Sequence, residues 1–365
     1  MANLGFSART FHLGTLALAL ACGDGGGDGQ GMTTDESEDT SGEPTSAATT
    51  NEPTSTTATS TTATTDATED SGSGSESGDT APDDAEAVPL RIDAYPVPTA
   101  ETTYSCFEFT FTLDQLGHVV GFVPQVDDVA HVHHYVLSKL EAPSNFGDGY
   151  QCFDLAGEMV WTWAPGGGEW WLPPEAGFLV GDGPGGQVTF RLQVHYNNPL
   201  GDQGAVDSSG LDLYITKNLR EHAAGTMVFG DILGINIPPG EPAYEHVATC
   251  TSQQTSQILA EPMNVFGTAM HAHNIGSVLW SEVWRGGAMS YELNRDDPYL
   301  FGSQHMNAVD LVIQPGDEVQ THCIYDSTDR TETTVGGPGT ENEMCWNIVT
   351  YWPRVPNPID ICGEG

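Results

Sequence analysis

Basic residues are scarce in this sequence: 10 Lys and Arg stand against 51 Asp and Glu, for a formal net charge of −41. Because affinity for nucleic acid depends on Lys and Arg side chains that neutralise phosphates, this balance argues against a nucleic-acid partner. Long stretches with a helical period are missing, which disfavours a helix bundle. No CxxC pair is present either, which disfavours a structural zinc ribbon.

The remaining composition is typical of turn-rich β structure. The chain of 365 residues contains 43 Gly and 23 Pro, and aromatic residues make up 9% of it. This length is comfortable for two domains and too long for one ordinary domain. The count of 7 cysteines is odd and needs an explanation.

Residues 1–22 resemble an export signal. A single basic residue, Arg9, precedes an apolar run at residues 13–21, which is too short to span a bilayer. The segment ends in Ala19-Leu20-Ala21-Cys22, which resembles a bacterial lipobox whose cysteine is lipidated. Lipidation of Cys22 would account for the odd cysteine, and the alternative is ordinary signal cleavage nearby. We therefore expect an exported protein of the bacterial cell envelope, either lipid-anchored or else periplasmic or extracellular, with no other membrane contact.

Residues 23–88 are rich in Thr, Ser, Gly and acidic residues and have almost no large apolar side chains. Such a segment cannot bury enough apolar surface to offset the entropy lost on ordering. Its like charges repel one another and extend the chain. We predict a disordered acidic linker that holds the following body away from a surface.

The body after this linker is predicted to be all-β and double. In residues 187–199, Val, Phe, Leu, Val and Tyr alternate with Thr, Arg, Gln and His, which predicts a half-buried strand with one polar face. Recurrent Gly and Pro punctuation indicates many such strands, as in sandwiches or barrels. We place one sandwich domain at residues 89–222 and a second at 223–365. Six cysteines in an exported body suggest three disulfides, although spacing alone leaves 15 pairings open.

Histidines and one methionine are the candidate chemical groups. The candidates are His131-Val132-His133-His134, His195 on the predicted strand, His271-Ala272-His273, and Met344. Side chains at i and i+2 of a strand share a face, so His271 and His273 can reach one metal ion. The same rule pairs His131 with His133, whereas His133 and His134 could cooperate only at a strand end, bulge or strong twist. Local geometry leaves these two alternatives open.

Each signal is weak by itself. An isolated HxH pair is often surface decoration, a lone strand histidine is more often hydrogen-bonded, and a lone methionine more often fills a core. Together they favour a metal site, because imidazole suits copper, zinc, iron or nickel and thioether sulfur selects copper.

Residues 316–353 carry the most specific motifs: T-H-C-I-Y, D-R-T-E-T-T-V-G-G and E-M-C followed by aromatic residues. With His133-His134, Gln193-Val194-His195-Tyr196 and His271-Ala272-His273 in this order, the chain resembles the copper type II, ascorbate-dependent monooxygenases. That family includes dopamine β-monooxygenase and peptidylglycine α-hydroxylating monooxygenase. The resemblance covers residues 90–362, and it implies two tandem jelly-roll-like sandwiches that face each other across a solvent-filled cleft.

The resemblance also implies roles for individual residues. His133, His134 and His195 would hold a first copper that relays an electron, which favours His134 over His131. His271, His273 and Met344 would hold a second copper, where dioxygen and substrate meet, and are the catalytic candidates. The implied disulfides are Cys106–Cys152, Cys250–Cys362 and Cys323–Cys345. Gln193 shares the strand face of His195, so it is predicted to position the ligand or the relay path, with a solvated strand residue as the alternative.

Departures from the family pattern bear on the substrate. The peptide-amidating members have an Arg two residues before the HxH pair, where this chain has Ala269. The residues after the E-M-C motif, Trp346-Asn347-Ile348, are closer to the amine-hydroxylating branch. We expect a dicopper monooxygenase that hydroxylates a C–H bond of a small organic molecule, not a peptide ending in glycine, with dioxygen and a one-electron reductant such as ascorbate.

Two other hypotheses are compatible with the sequence. One is a non-catalytic copper-binding or storage protein on the bacterial surface, and the other is a structural sandwich on a stalk. The sequence also leaves open whether the aromatic stretch at residues 161–171 packs a sandwich or covers the cleft.

Overall fold

A computed structural model of the protein describes residues 81–152, 157–337, 339–355 and 361–363. The predicted signal, Cys22 and most of the predicted linker lie outside these residues. The all-β prediction is confirmed, because the described chain consists of strands with a single short α-helix and a single 3-10 turn. The first strand begins at Ala85, inside the segment predicted as linker.

The first half of the body contains thirteen strands and the 3-10 turn Pro184–Gly186. The strands are β1 (Ala85–Arg91), β2 (Tyr95–Pro96), β3 (Thr102–Thr112), β4 (Gly117–Gln125), β5 (Val132–Leu140), β6 (Tyr150–Gln151), β7 (Glu158–Trp163), β8 (Trp170–Trp171), β9 (Ala176–Val180), β10 (Gln187–Asn197), β11 (Val206–Asp207), β12 (Gly210–Thr216) and β13 (His222–Ala223).

The second half contains eleven strands and the helix α1 (Ser252–Ile258). The strands are β14 (Gly225–Asp231), β15 (Asn236–Ile237), β16 (Tyr244–Cys250), β17 (Met263–His271), β18 (Gly276–Arg285), β19 (Ala288–Asp296), β20 (Asn307–Ile313), β21 (Glu318–Tyr325), β22 (Thr334–Val335), β23 (Cys345–Trp352) and β24 (Ile361–Cys362).

Each half is built from two facing sheets. In the first, β1-β12-β4-β9-β13, with β8 added on β4, packs against β6-β3-β10-β5-β7. In the second, β20-β17-β23-β14-β24 packs against β16-β21-β18-β19. The chain passes from one half to the other between β13, which pairs with β9, and β14, which pairs with β23. This crossing lies at Ala224, beside the predicted boundary.

Strand β10 shows how the sequence pattern builds the first core. Its apolar residues point into the first sandwich, where Phe190 packs in one cluster with Leu137 of the same sheet and Phe122 of the opposite sheet. Its other face was predicted to be a half-buried polar face. Instead, Arg191 is 5% exposed and His195 is 2% exposed. At His195 the cover comes from Tyr104 of β3, whose ring is stacked 4.4 Å away, and from Phe301 of the second half, whose ring lies at 6.1 Å.

The aromatic stretch at residues 161–171 divides between several surroundings. Trp161 stacks on Phe122 inside the first sandwich, with ring centroids 5.5 Å apart. Trp171 lies edge-on to Tyr214 on the outer side of the β4 sheet. Trp170 lies near Gly267 of the second half. Packing therefore explains most of this stretch.

Disulfides join Cys106 to Cys152, Cys250 to Cys362, and Cys323 to Cys345. These are the pairs that the family resemblance implies. The third bond links β21 to β23 directly beside Met344. Among the described residues, no helix combines the length and apolar character needed to cross a membrane.

A glycine on β17 allows the two halves to approach closely. A Cβ atom at Gly267 would lie 2.6 Å from Cζ2 of Trp170 and 3.0 Å from Cε of Met306, and it would also collide with Oγ1 of Thr350. An added side chain would therefore displace Trp170 of the first half as well as Met306 and Thr350 of the second.

We predict that Gly267→Ala lowers the free energy of unfolding by about 1–3 kcal/mol, the usual cost of overpacking. Urea unfolding followed by tryptophan fluorescence measures this change. The matched control is Gly168→Ala, since a Cβ atom at Gly168 has no neighbour within 4 Å. Equal stability of the two variants would show that the halves are not tightly packed at Gly267.

Candidate functional site

A β-bulge brings the first group of histidines together. Along the pairing of β5 with β10, His195 lies opposite His134 and Tyr196 lies opposite Val132, so His133 is an extra residue. A bulge of this kind turns an added residue out of the regular alternation. His133, His134 and His195 consequently form a cluster, called here the first histidine set.

The nitrogen atoms of the first set are arranged as a metal site requires. Nδ1 of His134 lies 3.2 Å from Nδ1 of His133 and 3.4 Å from Nδ1 of His195. Three nitrogen ligands at about 2.0 Å from one metal ion lie about 3.3–3.5 Å apart in tetrahedral or trigonal geometry. The ligand atoms of all three residues lie within 4.8 Å of one another. The residues therefore fit a three-histidine metal site.

Burial keeps these imidazoles neutral, which metal binding requires. Desolvation lowers the pKa of His195 to about 3, and the neighbouring His133 and His273 act in the same direction. Desolvation likewise places the pKa of His134 well below its ordinary value. Nε2 of His195 is buried and has no hydrogen-bond partner in the described structure. At neutral pH the histidines of the first set are therefore uncharged, and each has a nitrogen lone pair that can bind a metal ion.

His131 belongs to a different environment. Its Nδ1 atom lies 2.7 Å from a carboxylate oxygen of Asp128, and its Nε2 atom lies 3.5 Å from Asp202. The hydrogen bond to Asp128 raises its pKa. Of the two alternatives left open by local geometry, the structure brings His133 together with His134 and leaves His131 outside the set.

His271 and His273, the second histidine set, lie at and just beyond the end of β17. Their ring centroids are 5.3 Å apart. Nδ1 of His273 lies 3.0 Å from the carbonyl oxygen of Asn342, and Nδ1 of His271 lies 2.5 Å from Oε1 of Gln304. These acceptors assign the ring proton to Nδ1 in both residues, because a neutral imidazole donates from one nitrogen only. The Nε2 atoms therefore keep the lone pairs.

The side-chain amide of Gln304 has a fixed orientation. Its Nε2 atom donates to the carbonyl oxygen of Phe301 at 2.6 Å, which leaves Oε1 for His271. An amide held in this way orients a ligand ring and fixes its tautomer. Gln304 therefore supports His271 without being a ligand itself.

Met344 is 6% exposed and lines the same cavity as His271 and His273. The hydroxyl of Tyr325 donates to its carbonyl oxygen at 2.7 Å. The preceding carboxylate, Glu343, accepts backbone N–H groups from His273 at 2.7 Å and from Ile275 at 2.9 Å. Met344 and the second histidine set are thus tied together through Glu343.

Glu343 is fully buried, and burial raises its pKa to about 7, although its three backbone N–H donors act in the opposite direction.

Three residues of the site were not predicted from the sequence: Glu343, Gln304 and Tyr299. Glu343 stands inside the E-M-C motif, which is the one signal that could have drawn attention to it. Gln304 and Tyr299 lie in an irregular loop whose sequence has no periodic pattern.

A cavity of about 1240 Å³ lies between the two halves. Its lining includes His134, Gln193, His271, His273 and Met344. Gln193 donates from Nε2 to the carbonyl oxygen of Cys152 at 3.0 Å. The predicted role of Gln193 in positioning a ligand stays a prediction. The cavity gives a small molecule access to candidate ligands from both halves.

Two family models match successive parts of the chain. Residues 88–203 match the N-terminal domain of the copper type II ascorbate-dependent monooxygenases, and residues 222–364 match their C-terminal domain.

The similar solved structures include the cryo-EM structure of Broad Bean Stain Virus. The alignment covers 74% of this chain and 80% of the viral chain at 10% identity. Its TM-score of 0.26 is too low to support an argument.

Similar curated proteins include dopamine beta-hydroxylase of Bos taurus, which is 33% identical over 300 residues (77% of this chain, 48% of that protein). Tyramine beta-hydroxylase of Caenorhabditis briggsae is 32% identical over 286 residues (73% and 48%). DBH-like monooxygenase protein 1 of Homo sapiens is 32% identical over 284 residues (71% and 46%). The chain spans about half the length of the curated relatives it matches.

The lowered pKa of His195 predicts how the metal-free protein responds to acid. An unfolded histidine has a pKa of about 6.5, so the unfolded state binds the proton first as the pH falls. The free energy of unfolding should therefore decrease as the pH falls below about 6.5, by at most about 1.4 kcal/mol per pH unit for each such histidine. Urea unfolding at pH 7.0, 6.0 and 5.0 measures this slope, and His195→Gln should reduce it.

The control for this prediction is His131→Gln. Because the pKa of His131 is raised, its contribution is fully present below about pH 6.5 and is lost only as the pH rises through its folded pKa. This variant should therefore lower stability by a constant amount below about pH 6.5 and change the slope of the profile only above it. An unchanged acid slope in His195→Gln would mean that His195 is hydrated and ionisable in the folded protein.

Proposed function

The chain belongs to the copper type II, ascorbate-dependent monooxygenase family, and from this premise we propose that it is an exported enzyme that binds two coppers and hydroxylates a C–H bond of a small organic substrate. Dioxygen and a one-electron reductant such as ascorbate would be the co-substrates. Family membership confirms the resemblance drawn from the sequence motifs. The activity, the number of coppers and the substrate are proposals.

The single observation that carries the proposal is the convergence of three Nδ1 atoms in the first histidine set, at 3.2 and 3.4 Å from the central one. These separations match those of three nitrogen ligands around one metal ion, and a bound cation would use the lone pair of each Nδ1 atom in this buried site. We assign His133, His134 and His195 as ligands of the first copper.

The second copper is assigned to His271, His273 and Met344. Both imidazoles present Nε2, and a thioether lines the same cavity. A soft sulfur ligand favours copper over zinc, so the donor set fits the family's metal. A site with three protein ligands also leaves room for small molecules to bind.

When bound, copper would supply one-electron transfer and dioxygen activation, so that R–H, O₂, two electrons and two protons give R–OH and H₂O. The protein's own residues would do the rest. Gln304 and the Asn342 carbonyl hold the ring protons of the second histidine set on Nδ1. Glu343 fixes the backbone between His273 and Met344.

The cavity wall beside the second histidine set bears on the substrate. Ala269 lies two residues before His271 and pairs with Ile348 across the sheet. Both residues line the cavity, together with Val228 and Trp346. No cation occupies position 269 to bind a carboxylate, which supports a substrate with an apolar group near the reacting carbon instead of a peptide ending in glycine. The acidic chain further favours neutral or cationic substrates.

Export is proposed on the basis of the disulfides and the signal-like N-terminus. Three disulfides join the described cysteines, and such bonds persist in oxidising compartments. We further propose that the protein is located in a bacterial cell envelope and that Cys22 is lipidated. Mass determination of the mature N-terminus, with the Cys22→Ala variant as control, would decide between lipidation and ordinary cleavage.

We predict that the full-length exported chain binds two copper ions and consumes oxygen with ascorbate and an arylalkylamine substrate. Met344→Ala should leave the first copper in place and lower hydroxylation by at least about 10²-fold, whereas His133→Ala should lose the first copper. Copper per chain after dialysis and oxygen uptake measure the two effects. Met289→Ala and His131→Gln are the matched controls, because neither residue lies in the proposed sites.

Two coppers without substrate-dependent oxygen uptake across a panel of amines and other small molecules would favour the copper-storage alternative. Binding of one copper or none would contradict the ligand assignment. Full activity in Met344→Ala would contradict the assignment of the thioether.

Gln304 is predicted to strengthen copper binding at the second site through its hydrogen bond to His271. Removal of its amide frees Nδ1 of His271, so Gln304→Ala should weaken copper binding at the second site by about 10- to 100-fold, as is usual when the partner of a ligating histidine is lost. Competitive titration with a Cu(I) chelator measures this affinity. Ser303→Ala, a change in the same loop, should retain the parental affinity, and an equal loss in both variants would point to general disruption of the loop.

A further inference from the structure

Residues 298–306 connect β19 to β20 and are called here the bridging loop. The loop is fixed to the second histidine set at two points. The hydroxyl of Tyr299 accepts the backbone N–H of Ala272 at 3.0 Å and donates to the carbonyl oxygen of the same residue. The amide of Gln304 holds the ring of His271. The loop therefore moves with the second set.

Between these anchors, Phe301 reaches the other half of the protein. Its ring centroid lies 5.1 Å from that of His133 and 6.1 Å from that of His195. It lies 6.4 Å from the ring centroid of His273. All three separations are within the range of attractive aromatic pairs. One side chain thus contacts histidines of both sets.

The bridging loop approaches His133 from the side of its Nε2 atom. The first set converges through Nδ1 atoms, whereas the bridging loop approaches Nε2 of His133: a Cβ atom at Gly302 would lie 3.6 Å from that nitrogen. Phe301 carries no polar atom that could replace a ligand. At Gly302 the loop therefore approaches the nitrogen of His133 that is not part of the cluster.

The rest of the interface does not depend on Phe301. Arg354 of the second half and Glu158 of the first form a two-point ion pair, with N–O separations of 2.9 and 3.2 Å. Trp170 packs beside Gly267 at another point. Loss of the Phe301 ring should therefore loosen the histidine sets locally and leave the two halves joined.

We propose that Phe301 is a positioning residue that couples the two histidine sets, so that the first set is held in place by a side chain of the second half. This role concerns the protein's own side chains and does not require that the proposed hydroxylation be correct. The bridging loop would then do more than support His271. It would also fix the distance between the first and the second histidine set.

Hydrogen exchange of the full-length, metal-free protein tests this role. In Phe301→Ala, peptides that cover residues 131–135, in the other half of the protein, should exchange about 2- to 10-fold faster, the factor expected for a lost aromatic pair. A residue that only fills its own loop would change exchange in residues 298–306 alone. Phe301→Tyr retains the ring and should restore the parental rate at residues 131–135.

Leu300→Ala is the matched control, since Leu300 is the preceding residue and is 60% exposed. Peptides from strand β21 report global folding and should exchange at the parental rate in every variant. If Phe301→Ala proves unstable by this criterion, Phe301→Leu keeps the apolar volume without the ring and should give a smaller increase in the same direction. An unchanged rate at residues 131–135, or an equal increase in Leu300→Ala, would overturn the proposal.

Discussion

A single extra residue in strand β5 sets the geometry of the first histidine set. The register between β5 and β10 shifts beside His195, which leaves His133 as the added residue. On a regular strand, neighbouring side chains point to opposite faces, so His133 and His134 would diverge. The bulge removes this constraint locally while the flanking strand stays paired. The three converging nitrogen atoms, and the burial that keeps them neutral, depend on this irregularity.

Cover from the second half turns this geometry into a usable site. In an isolated sandwich the side of His195 that faces Phe301 would be open to water, which would weaken the desolvation that lowers its pKa. Here His195 is 2% exposed, and its Nε2 atom has no partner in the described structure. An unpaired buried polar atom destabilises the fold. The unpaired Nε2 atom of His195 therefore lowers the stability of the fold, while the imidazoles of the first set stay uncharged with their Nδ1 atoms close together.

Sequence patterns predicted the elements of this structure better than its contacts. Alternation identified β10, and the HxH spacing identified the second set, because both follow from the two-residue period of strands. The pairing of His133 with His134 required the family resemblance, since a bulge has no clear signature in one sequence. The bridging loop was not predicted: Tyr299 acts on Ala272, 27 residues away, and Gln304 acts on His271, 33 residues away. Such contacts arise only when the sheets have packed.

The two sets are held by different kinds of structure, and this difference suits different tasks. The first set lies on two paired strands, whose ladder fixes the positions of its side chains. The second set lies at a strand end, where the ring protons are held by Gln304 and by the carbonyl of Asn342. Side chains held by a strand ladder resist rearrangement, which suits the electron transfer proposed for the first set. Side chains held partly by loops can adjust as small molecules enter, which suits the substrate site proposed for the second set. The ring of Phe301 is fixed to the loop of the second set and packs on the first, so the proposed coupling adds a restraint on His133, the histidine that the bulge takes out of the regular ladder.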